Sequence, residues 1–194
     1  MSDDLTTRLA DIVGARRVLV RDGELRAYES DGLPGYQRRP SVAVFPGTRD
    51  ETIAVGRLLA ELKVPFVPRG AGTGLSGGAL ADGAVLLGLH RLKSIISIDA
   101  DEMRAVVEPG VVNATLGRAA APFGLYYAPD PSSQTACTIG GNVAENSGGP
   151  HCLKYGVTLN HVLAVTALLP SGEIVTLGNP EGEVEGYDLL GAFI

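Results

Sequence analysis

Between Pro68 and Gly78 the chain reads PRGAGTGLSGG, with glycine at five of the nine positions 70–78. No other feature constrains the fold as tightly. Backbone this bare either turns where a side chain is not tolerated or lies against something that needs its amides. Gly72-Thr73-Gly74-Leu75-Ser76-Gly77 matches G-x-G-x-x-G, the spacing of dinucleotide-binding loops. In those folds a strand precedes the loop and a helix opens on its last glycine. A strand is expected here at VPFVP. The helix is not: GALADG turns within six residues and leads into the apolar run AVLLGL. A P-loop is excluded as well, because no Gly-Lys-Ser/Thr follows. The run is therefore expected to join strand to strand, with successive amides curling around an anion. Pro68, Gly70, Ala71, Gly72, Gly74, Leu75 and Gly78 supply that backbone, and Thr73 and Ser76 add hydroxyls. Arg69 adds a charge that either faces the anion or pins the loop from behind.

A second run, CTIGGNVAENSGG (Cys137 to Gly149), follows DPSSQTA. It mixes glycines and small hydroxyl residues with apolar Ile139, Val143 and Ala144. That mixture suits a backbone wrapped against a large flat ligand, with amides turned to polar ring edges. The competing reading is a buried irregular segment that satisfies its own backbone.

With 194 residues, 45% hydrophobic and 20% charged, the chain can bury one sizeable core or two small lobes. A net charge of -6 argues against nucleic acid or an anionic membrane as the main partner. No apolar run reaches spanning length, and MSDDLTTRLA is not a signal peptide. Two cysteines do not make a disulfide framework, so a cytoplasmic setting is expected. The chain stops at the apolar GYDLLGAFI and reads as a fragment of a longer protein.

The pattern predicts an amphipathic helix on Leu5, Leu9, Ile12 and Val13, ended by Gly14, and then a linker at SDGLPGYQRRP. SVAVFP reads as a buried strand. TRDE is a capping box on Thr48 and Glu51, and Val55, Leu58, Leu59 and Leu62 share one face of the helix it opens. With VPFVP this makes strand, helix, strand, for which a right-handed parallel crossover is expected. SIISID and MRAVVEPG form a hairpin, and NATLGRAAAPFG a helix with Leu116, Ala119, Ala120 and Phe123 on one face. HVLAVTALLPSGEIVTL forms a second hairpin. The sum is an α+β fold: a small parallel β-α-β lobe, then a mixed and antiparallel lobe with flanking helices. Residues 1–40 are expected to be a helical or irregular extension, and residues 41–194 the main domain.

PRGAGTGLSGGAL and DPSSQTACTIGGNVAENSGGPHCLKYGVTLNHVL together resemble the FAD-binding domain of the vanillyl-alcohol-oxidase/PCMH superfamily. Within it they are most similar to the flavin subunit of bacterial glycolate oxidase and to D-lactate and D-2-hydroxyacid dehydrogenases. The resemblance covers roughly Pro40 to the end. It implies that residues 68–78 hold the FAD pyrophosphate. The second run would line the flavin and adenosine path, through Pro131, Ser132, Cys137, Thr138, Gly140, Gly141, Asn142, Ala144, Asn146, Gly149 and Tyr155. It also implies oxidation of a 2-hydroxy acid of the glycolate or D-lactate type, with hydride transfer to flavin N5. Electrons would pass to an iron–sulfur subunit or a quinone. The family's catalytic and metal-binding residues would lie beyond residue 194, so no catalytic residue and no metal site are assigned. Covalent members carry a histidine in the first loop; Thr73 stands at the matching place, which implies non-covalent FAD.

Two other classes stay open on the residues alone: an NAD(P)-binding enzyme, disfavoured by the missing helix, and a non-catalytic flavin-binding module. Cys137, His151, Cys152 and His161 fit no zinc-site spacing. His151 could serve as a base, given the intrinsic range of histidine. Tyr126 and Tyr127 are expected to pack in the core, and NPEGEVEG to be a solvated loop.

Overall fold

The computed structural model describes residues 3–181 and 186–194. It divides into two compact units, one up to Lys93 and one from Ser94 on.

The first unit begins with α1 (Asp3–Val13), β1 (Val18–Leu19) and the short α2 (Asp22–Leu25). Leu5, Leu9 and Val13 of α1 are buried in the main core cluster, and Gly14 ends the helix at φ 85°. Next come β2 (Val42–Val44), α3 (Arg49–Glu61), β3 (Phe66–Arg69) and β4 (Val85–Gly88). The α3 N-terminus is capped as the sequence implies. Thr48 Oγ1 accepts from the Glu51 amide at 3.2 Å, and the Glu51 carboxylate reaches back to the Gly47 amide at 2.7 Å. Arg17 grips the same carboxylate with two bonds, of 2.6 and 2.8 Å.

The sheet order is β1-β2-β4-β3, with β1 antiparallel and the rest parallel. The strand-helix-strand unit is present, but its two strands do not pair. β4 lies between them, with Leu86 opposite both Ala43 and Val67. All four β4 residues are buried, and a strand apolar on both faces belongs in the middle of a covered parallel sheet. The left-over edge goes to β1, two residues long. Val55, Leu58 and Leu59 of α3 pack with α1 on one face of this sheet, joined by Val42, Val44, Val85 and Leu87. Leu25, Ala43, Phe45 and Leu86 form a second cluster.

The second unit carries two antiparallel hairpins, β5 (Ile95–Asp99) with β6 (Arg104–Val107), and β7 (Ala164–Leu168) with β8 (Ile174–Gly178). Its helices are α4 (Asn113–Ala120), α5 (Ile139–Ala144), α6 (Cys152–Tyr155) and α7 (Leu189–Phe193). Leu116 and Ala120 of α4 are buried, but Phe123 is 53% exposed. The expected helical face does not reach it, because the chain tightens into a 3-10 turn at Ala121–Phe123 around Pro122. Tyr126 is likewise 63% exposed, which corrects its expected place in the core. In NPEGEVEG, Glu181 is exposed and pairs with Arg104 at 3.4 Å; Glu183 and Glu185 lie outside the described residues. Among the described residues no helix is long and apolar enough to cross a membrane.

Candidate functional site

The first glycine run leaves the sheet at the end of β3 and returns to it at β4, so it joins strand to strand with no helix after Gly77. That removes the structural basis for the NAD(P)-binding alternative. Among the described residues, none accepts a hydrogen bond from the amides of residues 71–76. Six consecutive donors are thus available for an outside acceptor, with Leu75 and Ser76 at the exposed crest.

Arg69 decides between its two readings. Its side chain is buried, 8% exposed, and its guanidinium donates to the carbonyls of Ser30 at 2.8 Å, Ala79 at 3.2 Å and Tyr28 at 3.5 Å. The Tyr28 ring lies 5.9 Å from the guanidinium carbon. Burial pulls its pKa below the ordinary value, while Asp31 opposes that shift. An arginine stays charged under such a shift. Arg69 therefore pins the loop from behind. Gly72 sits directly on it: at φ 70° a left-handed backbone is required, and a Cβ there would collide with the guanidinium.

The second run departs from its reading as a wrapped loop. Residues 139–144 form α5, capped by Thr138, whose Oγ1 accepts from the Gly141 amide at 3.3 Å. Ile139 donates to Val111 O and Gly140 to Pro109 O, both at 2.8 Å, and Asn142 to Thr138 O at 2.9 Å. Most amides of this stretch are therefore paired internally, in contrast with the first run. What remains open is a side chain. Asn142 is 1% exposed, and its Nδ2 has no partner among the described residues. A buried amide group held without a partner is costly and marks a place where a ligand acceptor fits.

The other expected residues of this run frame that helix. Pro131 and Cys137 are buried before it, Ser132 is exposed, and Ala144 is exposed at its end. Asn146 adopts φ 44° and accepts the Leu159 amide at 3.0 Å, which fixes the turn around Thr158. Gly149 packs against Asp130. Tyr155, at the end of α6, stacks edge-on with Tyr126 at 6.1 Å. A hydrogen bond between those two raises the Tyr126 pKa and lowers that of Tyr155.

Beside them lies a groove of about 480 Å³ lined by α4, Tyr126, Tyr127, Asp130, Gln134, His151 and Tyr155. His151 Nδ1 meets Asp130 Oδ2 at 2.5 Å, which holds the Asp130 carboxyl below its usual range. Burial pushes Tyr127 up to about 12. His161 instead bonds the Tyr155 carbonyl at 2.9 Å and takes no part in the groove. The structure thus gathers residues 68–78 in the first unit, and Pro131 to Tyr155 in the second. Sequence reasoning missed Tyr28, in the 3-10 turn Arg26–Tyr28, and Ser30, Asp31 and Gly32, at the start of what reads as a linker, which back the first run. The Asp31-Gly32 pair was the available signal, since Asp31 forms a local turn to the Leu33 amide at 2.8 Å.

Residues 40–178 match the family described as FAD binding domain. The chain is 48% identical over 186 residues to glycolate oxidase subunit GlcD of Escherichia coli K12, covering 95% of this chain and 37% of that protein. It is 39% identical over 185 residues to D-lactate dehydrogenase of Anaerostipes hadrus, covering 94% and 39%. The chain therefore spans about two fifths of the length of these relatives. Among solved structures, p-cresol methylhydroxylase superposes with a TM-score of 0.80 at 22% identity, over 98% of this chain and 40% of that one. At that identity the likeness shows the fold, which is the PCMH type.

Proposed function

The chain belongs to the FAD binding domain family, and from that premise we propose that it is the FAD-binding portion of an oxidoreductase that converts a 2-hydroxy acid to the 2-oxo acid. Its relatives named for glycolate and D-lactate support that substrate class. The observation that carries the cofactor assignment is the row of unpaired amides at residues 71–76, backed by the Arg69 guanidinium. Such a row suits a pyrophosphate, whose oxygens accept several donors at once. The donor set fits FAD in the second unit too, where the Asn142 amide group is a buried donor with no partner among the described residues.

When bound, FAD supplies the acceptor for the hydride that leaves C2 of the substrate. This chain's own residues bind and orient. The amides of Gly70 to Ser76 hold the pyrophosphate, with Pro68, Arg69 and Gly78 as its frame. Pro131, Ser132, Cys137, Thr138, Gly140, Gly141, Asn142, Ala144, Asn146, Gly149 and Tyr155 line the rest of the cofactor. The cofactor-binding portion starts at residue 41, after an extension of 40 residues. With Thr73 where covalent relatives carry histidine, FAD is held without a covalent bond. An iron–sulfur subunit or a quinone takes the electrons, in the cytoplasm.

The test is anaerobic mixing of the full-length protein with glycolate, D-lactate and longer 2-hydroxy acids. Bleaching of the visible flavin bands by at least one is the expected result, and no bleaching by any would end the proposal. Acid precipitation should release the colour to the supernatant; colour kept in the pellet would mean a covalent flavin.

A further inference from the structure

The first run does not hold its shape by itself. Glycine-rich backbone has the most conformational freedom to lose, and an anion cradle binds well only when its amides converge before the ligand arrives. The convergence here is imposed from residues 28–32. The Tyr28 and Ser30 carbonyls fix the Arg69 guanidinium, on which Gly72 rests. The Gly32 amide donates to the Gly74 carbonyl at 2.9 Å. Asp31 divides its carboxylate, with Oδ1 on the Leu33 amide at 2.8 Å and Oδ2 on the Gly77 amide at 3.0 Å. The run is therefore held at its start, middle and end. Every one of these contacts is on a carbonyl, on a side chain or on the Gly77 amide, so the amides of residues 71–76 stay free among the described residues. Spacing is tight as well. A Cβ on Gly32 would stand 2.6 Å from Thr73 O and 2.9 Å from Gly74 O. Asp31 and Arg69 carry opposite charges, so the back of the cradle does not repel an anion at its front.

We propose that residues 28–32 position the pyrophosphate cradle, with Asp31 and Gly32 setting the spacing of its amides, and so govern FAD affinity without contacting FAD. The inference rests on the FAD reading above and adds to it the element that shapes the site. It also specifies which part of the ligand feels that element. ADP carries a pyrophosphate too, esterified at one end only, and should respond in the same direction as FAD.

The experiment uses the full-length protein stripped of flavin, as Gly32→Ala, Asp31→Asn and Gly35→Ala variants. Gly35 is the control in the same segment, because a Cβ there meets nothing within 4 Å. FAD binding is read by flavin fluorescence, ADP binding by competition, and thermal unfolding on the flavin-free protein. Gly32→Ala and Asp31→Asn should each weaken FAD by about tenfold or more, the scale of one lost charged or well-aligned hydrogen bond. ADP should weaken in parallel; the flavin-free midpoint of Asp31→Asn should stay within about 2 °C, while Gly32→Ala, whose Cβ meets backbone oxygens, should lower it by a few degrees. Gly35→Ala should bind as wild type. Wild-type affinity in both variants would overturn the inference and leave the FAD reading standing. Weakening in Asp31→Asn matched by an equal loss of stability, or weakening shared by Gly35→Ala, would overturn it too, as general damage. A wild-type protein that binds no FAD would remove the FAD reading and this inference together.

Discussion

Gly72 and Asn142 are opposite kinds of signal, one in each unit. Gly72 is a place where matter is excluded: its φ of 70° and the guanidinium against its α-carbon leave no room for a methyl group. Gly72→Ala should therefore cost about 1–3 kcal/mol of stability from backbone strain and collision, and should abolish tight FAD binding. Urea unfolding and a flavin titration would measure the two effects. Asn142 is a buried donor. It is 1% exposed with Nδ2 unpaired among the described residues. Asn142→Leu keeps the branched heavy-atom shape, with bulkier methyl groups, and removes the orphaned donor, so the flavin-free protein should stay within about 1.5 kcal/mol of wild type. FAD should bind about tenfold more weakly if that donor serves the ligand. Unchanged FAD affinity would show that Asn142 does not contact the cofactor. The sequence offers the glycine at once, because five in nine residues is visible in one dimension. It could not show the orphaned amide group, nor which way Arg69 turns, since both depend on residues far away along the chain. The carbonyls that hold Arg69 lie 39 to 41 positions upstream and 10 downstream.

Helix α3 shows what is legible at the scale of an element. Thr48 three residues before Glu51, then apolar residues at helical spacing, specified both its start and its buried face. Thr48→Ala should cost about 1 kcal/mol, measured by urea unfolding, as for other lost N-caps. Glu51 adds a pH dependence. The hydrogen bond from Arg17 holds its carboxyl below the usual range, with the Gly47 amide adding to the effect. A depressed folded-state pKa gives stability that is present above the unfolded value and lost as pH falls through the folded one. Glu51→Gln should thus be less stable than wild type at neutral pH. The gap should close in acid, below the ordinary glutamate value of about 4.3. A constant gap across that range would show that Arg17 does not act through the charge. Helix α5 was less legible. Thr138 is a good cap, but the Gly140-Gly141 pair reads as a loop, and glycine lowers helix propensity by about 1 kcal/mol per residue. What stabilises it comes from elsewhere in its unit: the Pro109 and Val111 carbonyls take its first amides. The position of β4 between β2 and β3 was hidden for the same reason. Strand identity is written in local hydrophobicity, but pairing order follows from which strand can be buried on both faces.

The two units are not equally consolidated. Both hydrophobic clusters found among the described residues lie in the first unit, built from α1, α3 and the four-stranded sheet. The second unit carries its strands as separate two-stranded hairpins, and isolated hairpins are marginal in water. Buried hydrophobics there are dispersed, as Val111, Leu116, Ala120, Cys137 and Leu190. Local opening costs least where few apolar contacts oppose it. Amide hydrogen exchange on the flavin-free protein should therefore be slowest in β2, β4 and α3, and faster in β5–β6 and β7–β8. The α1 helix belongs to the slow set despite its terminal position, because Leu9 is fully buried in the main cluster. Leu9→Ala should cost about 2–5 kcal/mol by urea unfolding. Adding FAD should then slow exchange where the ligand consolidates structure, by mass action on the folded form. If the second run contacts the cofactor, residues 139–147 should gain protection beyond the gain seen in the β7–β8 hairpin. Protection confined to residues 70–77 would restrict the cofactor's hold to the first run and reassign α5 to a structural role.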